Sequence, residues 1–384
     1  MSRSRLFSWL QCLAACALQA LMAVVPVQAR EALPEQVLMI RKPGLFGLEL
    51  EATLFRPPGP GPFPLVVINH GKEVGDPRLQ RRASYPLAAR FFLARGYVVA
   101  VPMRQGFAGS TGSYIGGGCN VESNGLQQAE DVKATIDHLL AQPGIDAQKL
   151  LVVGQSHGGL TTMAFGTLSY PGVKGLINFA GGLRQETCPG WEATLARAFG
   201  AYGANTRVSS LWFYGDNDSF WSRPVWEDMH GRYVRALATA APQASARMVA
   251  FGTFEVDAHR LFSHRAGAAI WQPEVERFLR EQGLPHEVRF PAYLSAPAPV
   301  ASGFSELARI EAVPFLKDSG RKGYQTFLSR PLPRAFALSP TGAWGFAHEG
   351  DDPQARALGF CNAHAPQRDC RLYAVDETVV WKPD

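Results

Sequence analysis

Around residue 154 the chain changes character abruptly. An apolar run, Leu151-Val152-Val153, passes straight into Gly154-Gln155-Ser156-His157-Gly158 and a further Gly159, after which helix-forming residues continue to about Ser169. A buried strand can turn at once into a helix only where side chains are small, because the two elements pack against each other at the turn. Such a turn strains its central residue and lifts the Ser156 hydroxyl clear of the sheet, beside a helix N-terminus whose dipole favours negative charge. The G-x-S-x-G pattern alone is a weak signal, and a plain Gly-rich turn would also satisfy it; the strand before and the helix after make it specific.

The rest of the chain repeats that alternation. Val37–Arg41 and Leu48–Phe55 read as a leading antiparallel pair, and Leu65–Asn69 as a buried strand entering a loop at His70-Gly71. A helical period over Tyr85–Arg95 stops at Gly96, where a C-terminal cap belongs, and a strand follows at Tyr97–Pro102. A Gly-rich loop, Arg104–Gly125, precedes a helix from about Leu126 to Ala141. Strands are expected at Leu150–Val153, Val173–Phe179, Ser210–Tyr214 and Arg247–Phe251, with helices near Pro224–Thr239 and Pro273–Gln282. Residues 183–207, with Trp191, Phe199 and Tyr202, read as a cap over the strand ends. Strands alternating with helices imply an α/β fold, a mostly parallel sheet with helices on both faces.

A serine hydroxyl becomes a nucleophile when a base takes its proton and a third group orients that base. On such a sheet the chain order is Ser, acid, His, each at the carboxyl end of a strand. After Ser210–Tyr214 comes Gly215-Asp216-Asn217-Asp218; Asp218 is favoured over Asp216 as the acid, the other aspartate capping the turn. After the last strand, Asp257-Ala258-His259-Arg260 offers His259 as general base. His264 falls in a helix-like stretch and reads as structural; with His259 it is the one pair weighed as metal ligands, and no metal is expected. A tetrahedral oxyanion needs preorganised donors. One is expected from the backbone of His157, whose side chain should point away, and the other from Gly71 or Lys72. Phe107, Trp191, Trp212, Phe220, Trp221 and Trp226 lie on or near these loops; Phe107, Trp191 and Trp221 are the candidate pocket walls.

The run from His70-Gly71 through Gly96-Tyr97-Val98-Val99-Ala100-Val101-Pro102, then Arg104-Gln105-Gly106 and Gly109-Ser110-Thr111-Gly112, resembles the α/β-hydrolase superfamily over about residues 37–282. It looks most like its dienelactone-hydrolase-like and prolyl-oligopeptidase-like exported bacterial members. The resemblance implies a triad of Ser156, Asp218 and His259, with Gly71 or Lys72 and His157 as oxyanion donors. Two departures stand out: dienelactone hydrolases proper carry cysteine as nucleophile, and Ala258 stands where a glycine often precedes the histidine. The expected activity is hydrolysis of a small carboxylic ester through an acyl-enzyme. A peptidase or amidase of the same fold is one alternative, and a hydrolase fold kept as a non-catalytic binding module is another. No cofactor is indicated, because Gly116-Gly117-Gly118 does not join a strand to a helix as a phosphate loop would.

Residues 1–29 carry Arg3 and Arg5, an apolar stretch from Leu6 to Val25, and Val27-Gln28-Ala29, the layout of a cleaved secretory signal. A lipobox-like Leu13-Ala14-Ala15-Cys16 would instead anchor the chain by lipid at Cys16, but the apolar run continues past it. No later segment approaches a membrane span, so the expected location is periplasmic or secreted. The formal charge of +5 has no basic stripe behind it, which excludes a nucleic-acid partner. Beyond the signal four cysteines remain, an even number suited to two disulfides in an oxidising compartment. Cys361 and Cys370, close together in the tail, are paired, leaving Cys119 with Cys188. The main domain is expected at 30–285 and a Pro-rich linker at 286–303. A small α+β domain at 304–384 would gain most from its disulfide, having little surface to bury.

Overall fold

The computed structural model describes residues 32–383 apart from 45–46, 117, 296–299 and 349–352; the expected signal sequence with Cys16, and Pro297 and Pro299 of the linker, lie outside the described residues. The first sheet has eight strands: β1 (Glu35–Arg41), β2 (Glu49–Phe55), β3 (Phe63–Asn69), β4 (Val98–Pro102), β5 (Ile145–Gln155), β6 (Val173–Phe179), β7 (Ser210–Tyr214) and β8 (Ala246–Ala250). Their spatial order is β1-β2-β4-β3-β5-β6-β7-β8. β1, β2 and β4 pair antiparallel, and β4 through β8 run parallel.

Side-chain alternation along the central strands divides the core in two. Leu65, Val67, Leu150 and Val152 face one side, covered by α2 (Val121–Leu140), α3 (His157–Phe165), α4 (Trp191–Asn205) and α5 (Arg223–Ala240). Val66, Ile68, Leu151 and Val153 face the other, covered by α1 (Pro86–Ala94) and α6 (Ala268–Glu281). Strands buried on both faces read as unbroken apolar runs, which is why β3 is buried at every position.

Several expectations shift. Helix α2 begins at Val121 rather than Leu126, because the Asn120 side chain accepts a hydrogen bond from Ser123 N and caps it early. Helix α6 begins at Ala268, with Pro273 inside it. Residues 183–207 do not form a cap: α4 is a crossover helix with Phe199 and Tyr202 buried against α2 and Trp212. Much of the expected linker is also packed down. Arg289 N and Phe290 N donate to Ala94 O, and Tyr97 Oη donates to Pro285 O.

The C-terminal domain has α7 (Asp318–Leu328), β9 (Arg334–Leu338), β10 (Trp344–His348), α8 (Pro353–Asn362), β11 (Arg371–Val375) and β12 (Thr378–Val379). Its sheet, β10-β9-β11-β12, is antiparallel. Phe336 and Leu338 pack under α7, and Ala335 and Ala337 under α8. Both expected disulfides are present: Cys361–Cys370 ties α8 to the start of β11, and Cys119–Cys188 joins the loops before α2 and α4. Among the described residues no helix is long and apolar enough to cross a membrane.

Candidate active site

Ser156 sits between β5 and α3 with φ +56° and ψ −125°, a strained conformation for a residue with a Cβ. The surrounding glycines make the turn possible. A Cβ on Gly158 would stand 2.1 Å from Asn69 O, and one on Gly154 2.0 Å from Gly158 O. Strand β3, strand β5 and helix α3 therefore meet at backbone distance, and Ser156 is pushed to the rim, half-buried.

The loops carrying the expected acid, Asp218, and the expected base, His259, are joined there, and His259 lines the same cavity as Ser156. Asp218 accepts from Phe220 N at 2.8 Å and Trp221 N at 3.1 Å through Oδ1, and its Oδ2 lies 3.0 Å from His259 Nδ1. The Asp218 side chain is wholly buried. Asp216 is half-exposed and accepts from Arg223 Nε instead. The two loops are cross-tied: Asp257 accepts from Ser219 N, Ser219 Oγ and His259 N, while Asn217 Oδ1 accepts from Phe254 N. Ala258 is fully buried, and a Cβ on Gly215 would stand 2.5 Å from its own Cβ. Gln155 Nε2 donates to His259 O at 3.0 Å, linking the residue before the serine to the backbone of His259.

Behind the serine lies a buried polar layer. His157 turns its ring away from the cavity; Nε2 lies 2.8 Å from Asn124 Oδ1 and 2.7 Å from Gln128 Nε2. Arg104 Nε donates to Gln128, and burial lowers this guanidinium to about 10. Burial, and then the Arg104 charge, hold His70 and His157 well below the ordinary histidine range, so both are neutral. His70 Nε2 accepts from Arg104 N, which puts its proton on Nδ1, facing Gly71 O at 2.7 Å. Gln80 Nε2 donates to the same carbonyl at 3.1 Å. A planar trans peptide points its C=O and N–H in opposite directions, so pinning Gly71 O aims Lys72 N–H the other way. Gly71 itself lies against the serine; a Cβ there would be 3.2 Å from Ser156 Cβ. Its N–H is directed at Tyr85 Oη at 3.3 Å, which leaves Lys72 the better placed of the two expected donors. Burial pushes the Tyr85 hydroxyl up to about 12, so it stays protonated.

Ser156, His259, Gly71 and Lys72 line one cavity of about 680 Å³. The three aromatic residues expected as its walls are elsewhere. Phe107 is buried edge-on beneath His70, Trp191 packs against Trp221, and Trp221 is buried with Nε1 donating to Ala180 O. Trp212 and Trp226 are core. The wall residues are Phe220, whose ring lies 4.4 Å from that of His259, together with Tyr85 and Phe262. Sequence reasoning missed the last two because they sit before a helix and after a base loop, and only the fold brings them together. A separate groove of about 640 Å³ on the C-terminal domain holds His364 but no serine or carboxylate. Among the described residues no group of three metal-ligating side chains occurs, and His264 faces Glu377 at 3.6 Å.

The sequence model of the X-Pro dipeptidyl-peptidase family (S15) matches residues 47–223, a span that includes Gly71, Ser156 and Asp218 and ends before His259. No curated protein matches the sequence. Among solved structures, the acylaminoacyl peptidase of Pyrococcus horikoshii superposes with a TM-score of 0.50 at 15% identity, over 67% of this chain and 43% of that one. The Pyrococcus furiosus esterase Pf2001 gives 0.48 at 13% identity, over 66% of this chain and 92% of that one. A puromycin-hydrolyzing peptidase of Mycobacterium tuberculosis gives 0.46 at 18%, over 67% and 41%. At these identities the likeness is one of fold.

Proposed function

We propose that this chain, which has the α/β-hydrolase fold, is an exported serine hydrolase of small carboxylic esters, with Ser156, His259 and Asp218 as its triad. The observation that carries the reading is a serine strained at φ +56° on the rim of the cavity that also holds a histidine bound to a buried aspartate. Ser156 Oγ attacks the acyl carbon while His259 Nε2 takes its proton. Asp218 keeps Nδ1 protonated and stabilises the imidazolium. The N–H groups of His157 and Lys72 receive the oxyanion. Collapse of the tetrahedral species expels the alcohol, which takes the proton from His259. Water, deprotonated by the same histidine, then releases the acid and restores Ser156.

Export is supported by the two disulfides, which persist in oxidising compartments. A peptidase or amidase is the second reading, favoured by the family whose sequence model matches 47–223. Nitrophenyl esters of increasing acyl length, presented to the exported chain and to Ser156→Ala, test the proposal. The expected result is turnover that vanishes in the variant. Turnover surviving in Ser156→Ala would refute the site, and turnover confined to amides would favour the peptidase reading.

A further inference from the structure

The cavity that holds Ser156 and His259 is not closed by its own domain. One wall is Pro331-Leu332-Pro333, the segment of the C-terminal domain that enters β9. We propose that this segment sets the size of the group the site accepts, so that the C-terminal domain is a specificity element of the hydrolase; the inference rests on the ester-hydrolase reading above.

The wall is held firmly from both domains. Buried Arg334, the next residue, donates through Nη1 to Phe327 O at 3.1 Å, Leu328 O at 2.5 Å and Arg330 O at 2.8 Å, fixing the end of α7. Its backbone N–H donates to Asp376 Oδ1 at 2.9 Å. The other oxygen of that carboxylate, Oδ2, accepts from Arg265 Nε at 2.9 Å, and the Arg265 and Asp376 side chains are nearly buried. Arg265 follows closely on His259 in the chain. One carboxylate thus fixes the wall against the segment that carries the general base.

The chemistry of the wall points to a class of substrate. Two of its three residues are prolines, with no N–H to offer, so it suits an apolar boundary better than a backbone edge for an extended peptide. Leu332 is half-buried and lines the same cavity as Phe220 and Phe262, a space sized for one small ligand. The arrangement suits a compact apolar acyl or alkoxy group and opposes a long one.

The test uses the full chain with Leu332→Ala and Leu332→Trp, assayed on nitrophenyl esters from acetyl to dodecanoyl. Near-UV circular dichroism checks that each variant is folded. Leu332→Ala should raise kcat/KM for the longest esters about tenfold relative to the acetyl ester, the scale a few methylenes carry in an apolar pocket. Leu332→Trp should move the profile the opposite way, toward the shortest acyl groups. Wild-type turnover with both variant profiles superimposed on it would overturn this inference and leave the ester reading standing. A folded wild type that hydrolyses no member of the series would overturn both.

Discussion

Asp216 and Asp218 share one turn, yet only Asp218 meets His259, and the difference is burial. Asp218 is enclosed and satisfied by two backbone N–H groups, whereas Asp216 reaches outward to Arg223. A carboxylate that orients a histidine cannot be replaced by an amide without disturbing the tautomer. Asp218→Asn should therefore lower kcat on a nitrophenyl ester by about three to four orders of magnitude. Asp216→Asn should change it by less than about twofold, as an exposed ion pair warrants. Stopped-assay kinetics of the two variants decide it, and equal losses would contradict the assignment. From sequence the pair could be ranked but not separated, because Asp216 and Asp218 are equally polar and share the turn after Gly215; only their different burial distinguishes them. The aromatic walls failed for a related reason. Trp221 follows Asp218 by the same short interval as Phe262 follows His259, yet Trp221 turns into the core and Phe262 onto the cavity wall.

Elements with a single physical cause were legible. Val173–Phe179 and Ser210–Tyr214 form strands where their apolar runs end, since burial and turn residues coincide there. Helix α7 went unread because Gly320 and Gly323 look like breakers. They are there to admit Trp344: a Cβ on Gly323 would stand 2.3 Å from its ring. The same limit hid the junction between the domains, where Asp376 lies far along the chain from Arg265. Removing that carboxylate strips a partner from Arg265 Nε and Arg334 N–H together. Asp376→Ala should cost about 3–5 kcal/mol, as expected for breaking a buried charged pair. Urea unfolding of the full chain measures it, and a midpoint unchanged from wild type would show that the junction contributes nothing.

At the scale of the molecule, the polar layer beneath Ser156 makes stability depend on pH. His70 and His157 are held well below the ordinary histidine range when folded and return to about 6.5 when unfolded. Between the folded values and about 6.5 the unfolded state binds more protons, so stability rises with pH there. It is fully present above about 6.5 and declines as pH falls below it, by about 1.4 kcal/mol per pH unit for each histidine. Denaturant midpoints at pH 7 and pH 5 should show that loss, and replacing His70 by Gln should roughly halve this contribution. A midpoint independent of pH would mean these rings are not buried neutral.

The proposed reaction requires Ser156 to be a nucleophile activated by His259. A fluorophosphonate that reacts only with activated serines, followed by mass spectrometry of the digested chain, tests it most directly. A single adduct is expected on the peptide containing Ser156, lost in Ser156→Ala and strongly slowed in His259→Ala. Folded protein that takes no label, or carries it on another residue, would contradict it.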